Sequence, residues 1–298
     1  MIHPFLKWAG GKRQLLPIIS KYYPFDTCTK YVEPFVGGGA VLFDILNKFD
    51  IKEVFISDIN ANLINAYQVI RDYPNELISV LKKLDRDYKV DDIVNKKQNY
   101  LNRRADYNSH KNILSAHKYT RIRNAAYMIF LNKTCFNGLY RVNSKGEFNV
   151  PFGKIANPTI CDEENIKALS LKLKHVKIKH GPYDTWVNEI DDKTFVFLDP
   201  PYRPLNTTSS FNAYAKAGFG DEEQIKLAEF VHAIHKAEAK FVLCNSDPHN
   251  TNPADDFFDD LYANYHVYRI PATRMINSKA SSRGSINELL ITNITKSC

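Results

Sequence analysis

Between Tyr31 and Asp58 the chain runs through strand, glycine turn, helix, strand and acid, and this order constrains the fold more than any other feature. Tyr31-Val32 is a short apolar strand, and Gly37-Gly38-Gly39 opens a helix with Val41, Leu42, Ile45 and Leu46 on its apolar face. Val54-Phe55-Ile56 is a compact apolar run stopping at Asp58, and a second helix starts at about Asn60. Such alternation predicts an α/β fold with a parallel sheet and working residues at the carboxyl ends of its strands. Upstream, Gly10-Gly11 precede a helical pattern through Leu15, Leu16, Ile18 and Ile19.

The rhythm is interrupted from about Pro74 to Lys174, where helical segments carry many Lys, Arg, Asn and Tyr residues. One hairpin is predicted there: Gly138 to Val142 outward, a turn at Asn143-Ser144-Lys145-Gly146, and a return through Phe148-Asn149-Val150. Alternation then resumes with Val176 to Lys179, and with Phe195-Val196-Phe197-Leu198 running into Asp199-Pro200-Pro201-Tyr202. A helix from Glu222 to Ala237 and the strand Phe241-Val242-Leu243 follow. The last two strands, His266 to Ile270 and Glu288 to Thr292, are expected to pair antiparallel at the end of the sheet. This organisation predicts an α/β domain formed by residues 1–70 and 175–298, with an inserted domain over 71–174.

With 44% hydrophobic residues, the chain of 298 is rich enough in apolar groups to fold around a core. Its longest apolar run, Ala125 to Leu131, falls short of the roughly 18 residues of a membrane helix. The start, MIHPFLKWAGG, lacks a basic region followed by an apolar one, so nothing supports secretion. Cysteines 28, 135, 161, 244 and 298 are odd in number and lack CxxC spacing, which predicts free thiols in a reducing compartment. No metal is expected, since His232 and His235 have no third ligand beside them. The 40 Lys and Arg against 33 Asp and Glu give +7, which suits either a plain basic surface or a polyanionic partner.

Asp199-Pro200-Pro201-Tyr202 is the strongest local signal. The proline pair ends a strand and leaves two nitrogens without hydrogens, so backbone carbonyls there can face a ligand without competing donors. A carboxylate and a carbonyl each accept one N–H of an exocyclic amine, while the ring stacks on the heterocycle. Accepting both hydrogens draws the nitrogen lone pair out of conjugation and makes the amine nucleophilic. In Glu33-Pro34-Phe35-Val36-Gly37-Gly38-Gly39 the glycines permit close backbone approach to a ligand. Leu42 stands where a dinucleotide fingerprint wants its last glycine, which weakens a nicotinamide reading. Asp58 is spaced to accept ribose hydroxyls. Lys7-Trp8-Ala9-Gly10-Gly11-Lys12 is not a phosphate loop, because Leu6 and Arg13 occupy positions that need glycine and a hydroxyl residue. Trp8 fits either a core aromatic or a cofactor wall, with Lys12 placed to neutralise a carboxylate.

In this order, with the hairpin FNGLYRVNSKGEFNVPFG and the late segment TRMINSKASSRGSINELLITN, these motifs resemble the DNA adenine-N6 methyltransferases of the Dam family, α-group. The resemblance covers nearly the whole chain. It implies a Rossmann-like sheet dependent on S-adenosylmethionine, and an inserted helical target recognition domain carrying the hairpin. By that resemblance Trp8, Lys12, Asp58 and Asp199 contact the cofactor, and the loop with Pro34, Phe35, Gly37 and Gly39 wraps its methionine end. Asp199, Pro200 and Tyr202 act on the flipped adenine. One departure is Gly181-Pro182-Tyr183, where the family often has Gly-Asp-Phe; Tyr183 is then left to pack on the cofactor adenine.

For duplex DNA, the resemblance places Asn137 and Leu139 where the family intrudes on the stack, and Lys7 and Arg141 where it reads flanking guanines. Arg121, Arg123, Lys279 and Arg283 are suited to phosphates, although a solvated basic face is the favoured reading of any one of them taken singly. No Cys follows a Pro, as a cytosine-C5 enzyme would require. The resemblance also implies GATC as the target, a monomer or weak dimer, and a bacterial or phage-encoded cytoplasmic enzyme; whether a cognate restriction endonuclease accompanies it stays open. An amino methyltransferase for RNA or protein glutamine, or a silent sequence-specific DNA-binding protein, stays open at this point.

Overall fold

A computed structural model describes residues 1–110, 112–203, 219–273 and 285–295. Its strands are β1 (Lys30–Glu33), β2 (Glu53–Asp58), β3 (Val176–His180), β4 (Thr194–Leu198), β5 (Lys240–Ser246), β6 (His266–Thr273) and β7 (Ser285–Thr292). They form one seven-stranded sheet in the order β3-β2-β1-β4-β5-β7-β6. The first helical pattern shrinks to α1 (Leu16–Ile19), because Pro17 has no N–H to donate and Leu15 provides no side-chain cap. By packing, the chain divides into two compact units. One comprises Met1–Lys12, Val36–Asp50 and Val54–Thr185; the other comprises Arg13–Phe35, Ile51–Glu53 and Trp186–Cys298.

In the first unit β2 and β3 run parallel, in register from Val54 opposite Val176 to Asp58 opposite His180. Its helices are α2 (Ala40–Lys48), α3 (Ala61–Asp72), α4 (Pro74–Val90), α5 (Ile93–Ser109), α6 (Lys118–Thr134) and α7 (Glu163–Leu173). Side-chain caps start three of them: Asn60 for α3, Asp92 for α5 and Asp162 for α7. The long apolar run lies in α6, which packs against α3, α4 and α5, so Ala125, Ala126, Met128, Ile129, Phe130 and Leu131 are all buried.

The hairpin takes a looser form than predicted. A bridge joins Val142 to Phe148, and Asn149 N–H donates to the Arg141 carbonyl at 3.0 Å, but no regular strand forms on either arm. Its first arm is preceded by Asn137 and Gly138 at φ 57° and 65°, a left-handed kink that no ladder continues through. Side chains of α5 take the backbone of its second arm. Asn108 bonds both N–H and C=O of Phe148, and the Val150 carbonyl accepts from Tyr100 Oη at 2.7 Å and Arg104 at 3.2 Å.

In the second unit β1, β4 and β5 are parallel. All five residues of β4 are buried, as an interior parallel strand requires. β7 pairs antiparallel with both β5 and β6, so the two last strands pair as expected, and each reaches further toward the loop between them than the apolar pattern indicated. α8 (Asp221–Lys236) and the short α9 (Phe257–Leu261) complete the unit. Among the described residues Cys28, Cys135, Cys161 and Cys244 are free thiols, and no helix is long and apolar enough to cross a membrane.

Candidate active site

The Asp199-Pro200-Pro201-Tyr202 turn leaves the end of β4, in the second unit, and is braced from three sides. From α8, Gln224 Nε2 donates to the Pro201 carbonyl at 3.2 Å, and its Oε1 accepts from Asn245 Nδ2 at 3.1 Å. Asn245, buried on β5, accepts from Arg203 N–H at 3.3 Å, and Ser246 Oγ donates to the Arg203 carbonyl at 3.2 Å. The Tyr202 hydroxyl donates to Glu288 on β7. Burial raises the Tyr202 pKa well above its ordinary value, and the charges of Asp199 and Glu288 push the same way, so the phenol stays protonated.

Arg203 anchors the chain directly after the turn. Its guanidinium forms a two-bond pair with Asp221 at 2.7 and 3.1 Å, reaches Asp255 at 2.7 Å, and lies 4.3 Å over the Phe257 ring. Pro200 is buried and Asp199 half-buried. In the same unit Pro34 is buried just past β1, and Phe35 meets Phe219 edge-on at 6.0 Å.

In the first unit Asp58 ends β2. Its Oδ2 accepts from Gly37 N–H at 3.0 Å and its Oδ1 from Asn60 N–H at 2.9 Å. Burial raises its pKa, and the Asn60 and Gly37 N–H groups pull it back. Gly37 and Gly39 have φ 47° and 72°. A Cβ at Gly39 would fall 2.4 Å from Tyr67 Oη, which itself donates to the Gly37 carbonyl, so only glycine fits where α2 begins. A Cβ at Gly38 would fall 2.8 Å from Trp8 Cβ, so Trp8 packs directly on the glycine turn. Lys12 is buried, with Nζ donating to the Gly10 carbonyl at 2.8 Å. Tyr183 is half-buried beyond β3.

Trp8 stacks on Tyr140, with ring centroids 5.0 Å apart and 23° between planes. Tyr140 belongs to the hairpin segment, and burial raises the pKa of its phenol, with the charge of Asp58 pushing the same way. This one aromatic residue therefore ties the Lys7–Lys12 segment to the neighbourhood of Asp58. Sequence periodicity gave no hint of Tyr140, nor of Gln224, Asn245 and Glu288, because each works through a contact distant along the chain. Arg203 was within reach, as it directly follows Tyr202.

Phe136, Asn137 and Arg141 are exposed, and Leu139 is half-buried. Arg141 Nε donates to Asn149 Oδ1 at 2.7 Å. Lys7 is exposed. Arg121 is tied to α3, donating to Asn65 at 3.0 Å and Gln68 at 2.6 Å, whereas Arg123 is exposed beside His110 and Asp106. Lys279 and Arg283 lie outside the described residues. His249, Asp256 and Asp259 bring three possible ligand atoms within 4.8 Å of one another. Arg269 pairs with Asp259 there at 2.7 and 3.0 Å, so a guanidinium already balances the cluster.

The mostly parallel α/β sheet is that of a Rossmann-like methyltransferase, with the glycine turn and Asp58 in one unit and Asp-Pro-Pro-Tyr in the other. A family model, described as D12 class N6 adenine-specific DNA methyltransferase, matches residues 8–276. The chain is 46% identical over 297 residues to the type II methyltransferase M.MjaIII of Methanocaldococcus jannaschii, covering 98% of this chain and 99% of that one. It is 36% identical to the type II methyltransferase M1.LlaDCHI of Lactococcus lactis subsp. cremoris, over 98% of this chain and 95% of the other. With the DNA adenine methylase of Escherichia coli K12 it shares 30% identity, over 96% and 93% respectively. The chain belongs to the D12 class of N6 adenine-specific DNA methyltransferases, which methylate adenine N6 in DNA and depend on S-adenosylmethionine. The donor set fits that cofactor: Asp58 is a carboxylate oriented by backbone N–H groups and of the acceptor type a ribose hydroxyl needs, and Lys12 is a buried cation suited to a carboxylate.

Proposed function

We propose that the chain is a site-specific enzyme of duplex DNA in which Asp199, Pro200 and Tyr202 act on a flipped adenine. The Asp199 carboxylate and the Pro200 carbonyl accept the two N6 hydrogens, and Tyr202 stacks on the base. Flipping costs a few kcal/mol, which this stack helps to offset. S-adenosylmethionine supplies an electrophilic methyl group on a sulfonium. Trp8, Lys12, Asp58 and Tyr183 hold it, together with Pro34, Phe35, Gly37, Gly39 and Asp199. The protein's part is orientation and electrostatics, with no metal and no covalent intermediate.

Residues 71–174 form the recognition part, and residues 1–70 and 175–298 the catalytic one. Lys7 and Arg141 read base pairs, Asn137 and Leu139 enter the gap left by the flipped base, and Arg121, Arg123, Lys279 and Arg283 meet phosphates. The target is GATC. Two relatives bear type II methyltransferase names, which favours a companion restriction endonuclease. The enzyme works in the cytoplasm as a monomer or weak dimer.

The observation that carries the catalytic assignment is the bracing of the Asp-Pro-Pro-Tyr turn by Gln224, Asn245 and Glu288, since a turn held on three sides keeps its acceptors aimed. The test is transfer of a tritiated methyl group to unmethylated duplex DNA. Label is expected in adenine and lost in Asp199→Ala. Label in RNA or protein, or an undiminished rate in that variant, overturns the assignment.

A further inference from the structure

Asn132, in the last turn of α6, is 1% exposed, and its carboxamide is engaged entirely with backbone. Oδ1 accepts from Lys7 N–H at 2.8 Å, and Nδ2 donates to the Lys7 carbonyl at 2.9 Å. These two bonds hold Lys7 from both sides, as a paired strand would. The same Nδ2 donates to the Gly138 carbonyl at 3.0 Å. One buried side chain thus joins the Lys7 segment, 125 residues distant, to the turn that presents Phe136, Asn137, Leu139 and Arg141.

The junction is tight. Gly138 has φ +65°, and a Cβ built on it would fall 2.4 Å from Lys7 Cδ and 3.0 Å from Lys7 Cβ. The aliphatic stem of Lys7 therefore lies across the glycine, where a side chain would push it away. Lys7 and Arg141 are both exposed; Arg141 is held within the hairpin by Asn149, at 2.7 Å to Oδ1 and 3.3 Å to the carbonyl, and Asn132 fixes the Gly138 end of that segment against Lys7. A base contact needs its donor placed to within a fraction of an ångström, so whatever fixes these two segments relative to each other governs how well both read.

We infer that Asn132 is a positioning residue for sequence recognition, holding Lys7 and the Phe136 to Arg141 segment in one fixed relation so that they act as a single reader. Being buried, it does not touch DNA, and it acts through the two segments it joins. The inference rests on the assignment of Lys7 and Arg141 as readers of base pairs.

The test begins by mapping the methylated site through sequencing of modified adenines in DNA from expressing cells. Methylation kcat/KM is then measured on that site and on every single base-pair substitution, for the wild type, Lys7→Ala, Arg141→Ala, Asn132→Asp and Gly138→Ala. Asn132→Asp keeps the shape and the acceptor but loses both donors. It is expected to relax discrimination by about tenfold or more, the size of a lost base contact, at the Lys7 position and the Arg141 position together. Each single reader variant relaxes its own position only. Gly138→Ala leaves Asn132 in place and displaces the Lys7 stem, so it relaxes the Lys7 position. It also serves as the deciding variant should Asn132→Asp fail to fold.

Full discrimination in a folded Asn132→Asp, or an equal loss at every base pair, overturns the inference while leaving the readers standing. Unchanged discrimination in Gly138→Ala does the same. Unchanged discrimination in both Lys7→Ala and Arg141→Ala overturns the reader assignment itself, and the inference with it.

Discussion

The Tyr202 hydroxyl donates its hydrogen bond to the Glu288 carboxylate, 86 residues further along the chain. The bond ties the hydroxyl to β7 and leaves the ring as the part of Tyr202 suited to stacking. Tyr202→Phe is expected to stay within a few fold of wild-type kcat, because the ring remains. Tyr202→Ala should lose about 10- to 100-fold, the worth of one base–aromatic stack. The raised pKa of Tyr202 keeps it neutral, so the pH–rate profiles of wild type and Tyr202→Phe should overlay from about pH 7 to about pH 10. An alkaline limb present in the wild type and absent from the Phe variant would show that the phenol titrates during turnover.

In the proposed cofactor site Asp58 accepts ribose hydroxyls as a carboxylate, and burial raises its pKa. A raised carboxyl pKa means that acidification neutralises the group sooner than an exposed aspartate. Cofactor affinity should therefore start to fall, as pH is lowered, at a pH above the ordinary aspartate value of 3.8. Asp58→Asn should bind about 10- to 100-fold more weakly, as expected when hydrogen bonds to a charged group are lost, and its affinity should not change with pH over that window. Calorimetric titration with S-adenosylhomocysteine measures both. A wild-type Kd that is flat down to about pH 4 would remove Asp58 from the cofactor site.

Arg203 holds the segment after the Asp-Pro-Pro-Tyr turn to both Asp221 and Asp255. The Asp221 side chain is 55% exposed and its pair is screened by water, so most of the effect comes from Asp255, which is 26% exposed. Arg203→Met should cost about 1–2 kcal/mol in urea unfolding at neutral pH. Arg203 lowers the Asp221 pKa, so that pair contributes fully above the ordinary aspartate value and is lost as pH falls through the depressed one. The gap between wild type and variant should therefore narrow in strong acid. A gap that widens on acidification contradicts this account.

Arg121 and Arg123 are neighbours on α6 with different surroundings. Arg121 bonds Asn65 and Gln68 on α3, so Arg121→Ala should lower both the melting temperature and DNA affinity. Arg123 is exposed, and Arg123→Ala should lower DNA affinity alone and reduce the slope of log affinity against log salt by about 1. An unchanged salt slope in Arg123→Ala takes that residue away from the phosphates.

Much of the sheet is written locally. A parallel strand buried on both faces must be apolar along its length, and the run from Phe195 to Leu198 says so directly. Asn60 is readable as a helix start because its short side chain can accept from the backbone N–H groups of Asn62 and Leu63. The hairpin was only half legible. Its turn residues are explicit, but the backbone of its return arm is held by Tyr100, Arg104 and Asn108, which no strand pattern in the hairpin itself announces.

Local chemistry by itself determined the α/β alternation, the glycine turn before α2, and the Asp-Pro-Pro-Tyr set that ends β4. These depend on backbone freedom and strand periodicity, which act over a few residues. Tertiary structure alone decided that Glu288 holds Tyr202, that Tyr140 stacks on Trp8, and that Asn132 joins Lys7 to Gly138. Each is a directional contact between segments far apart in the chain, and only the packed core brings donor and acceptor within bonding distance.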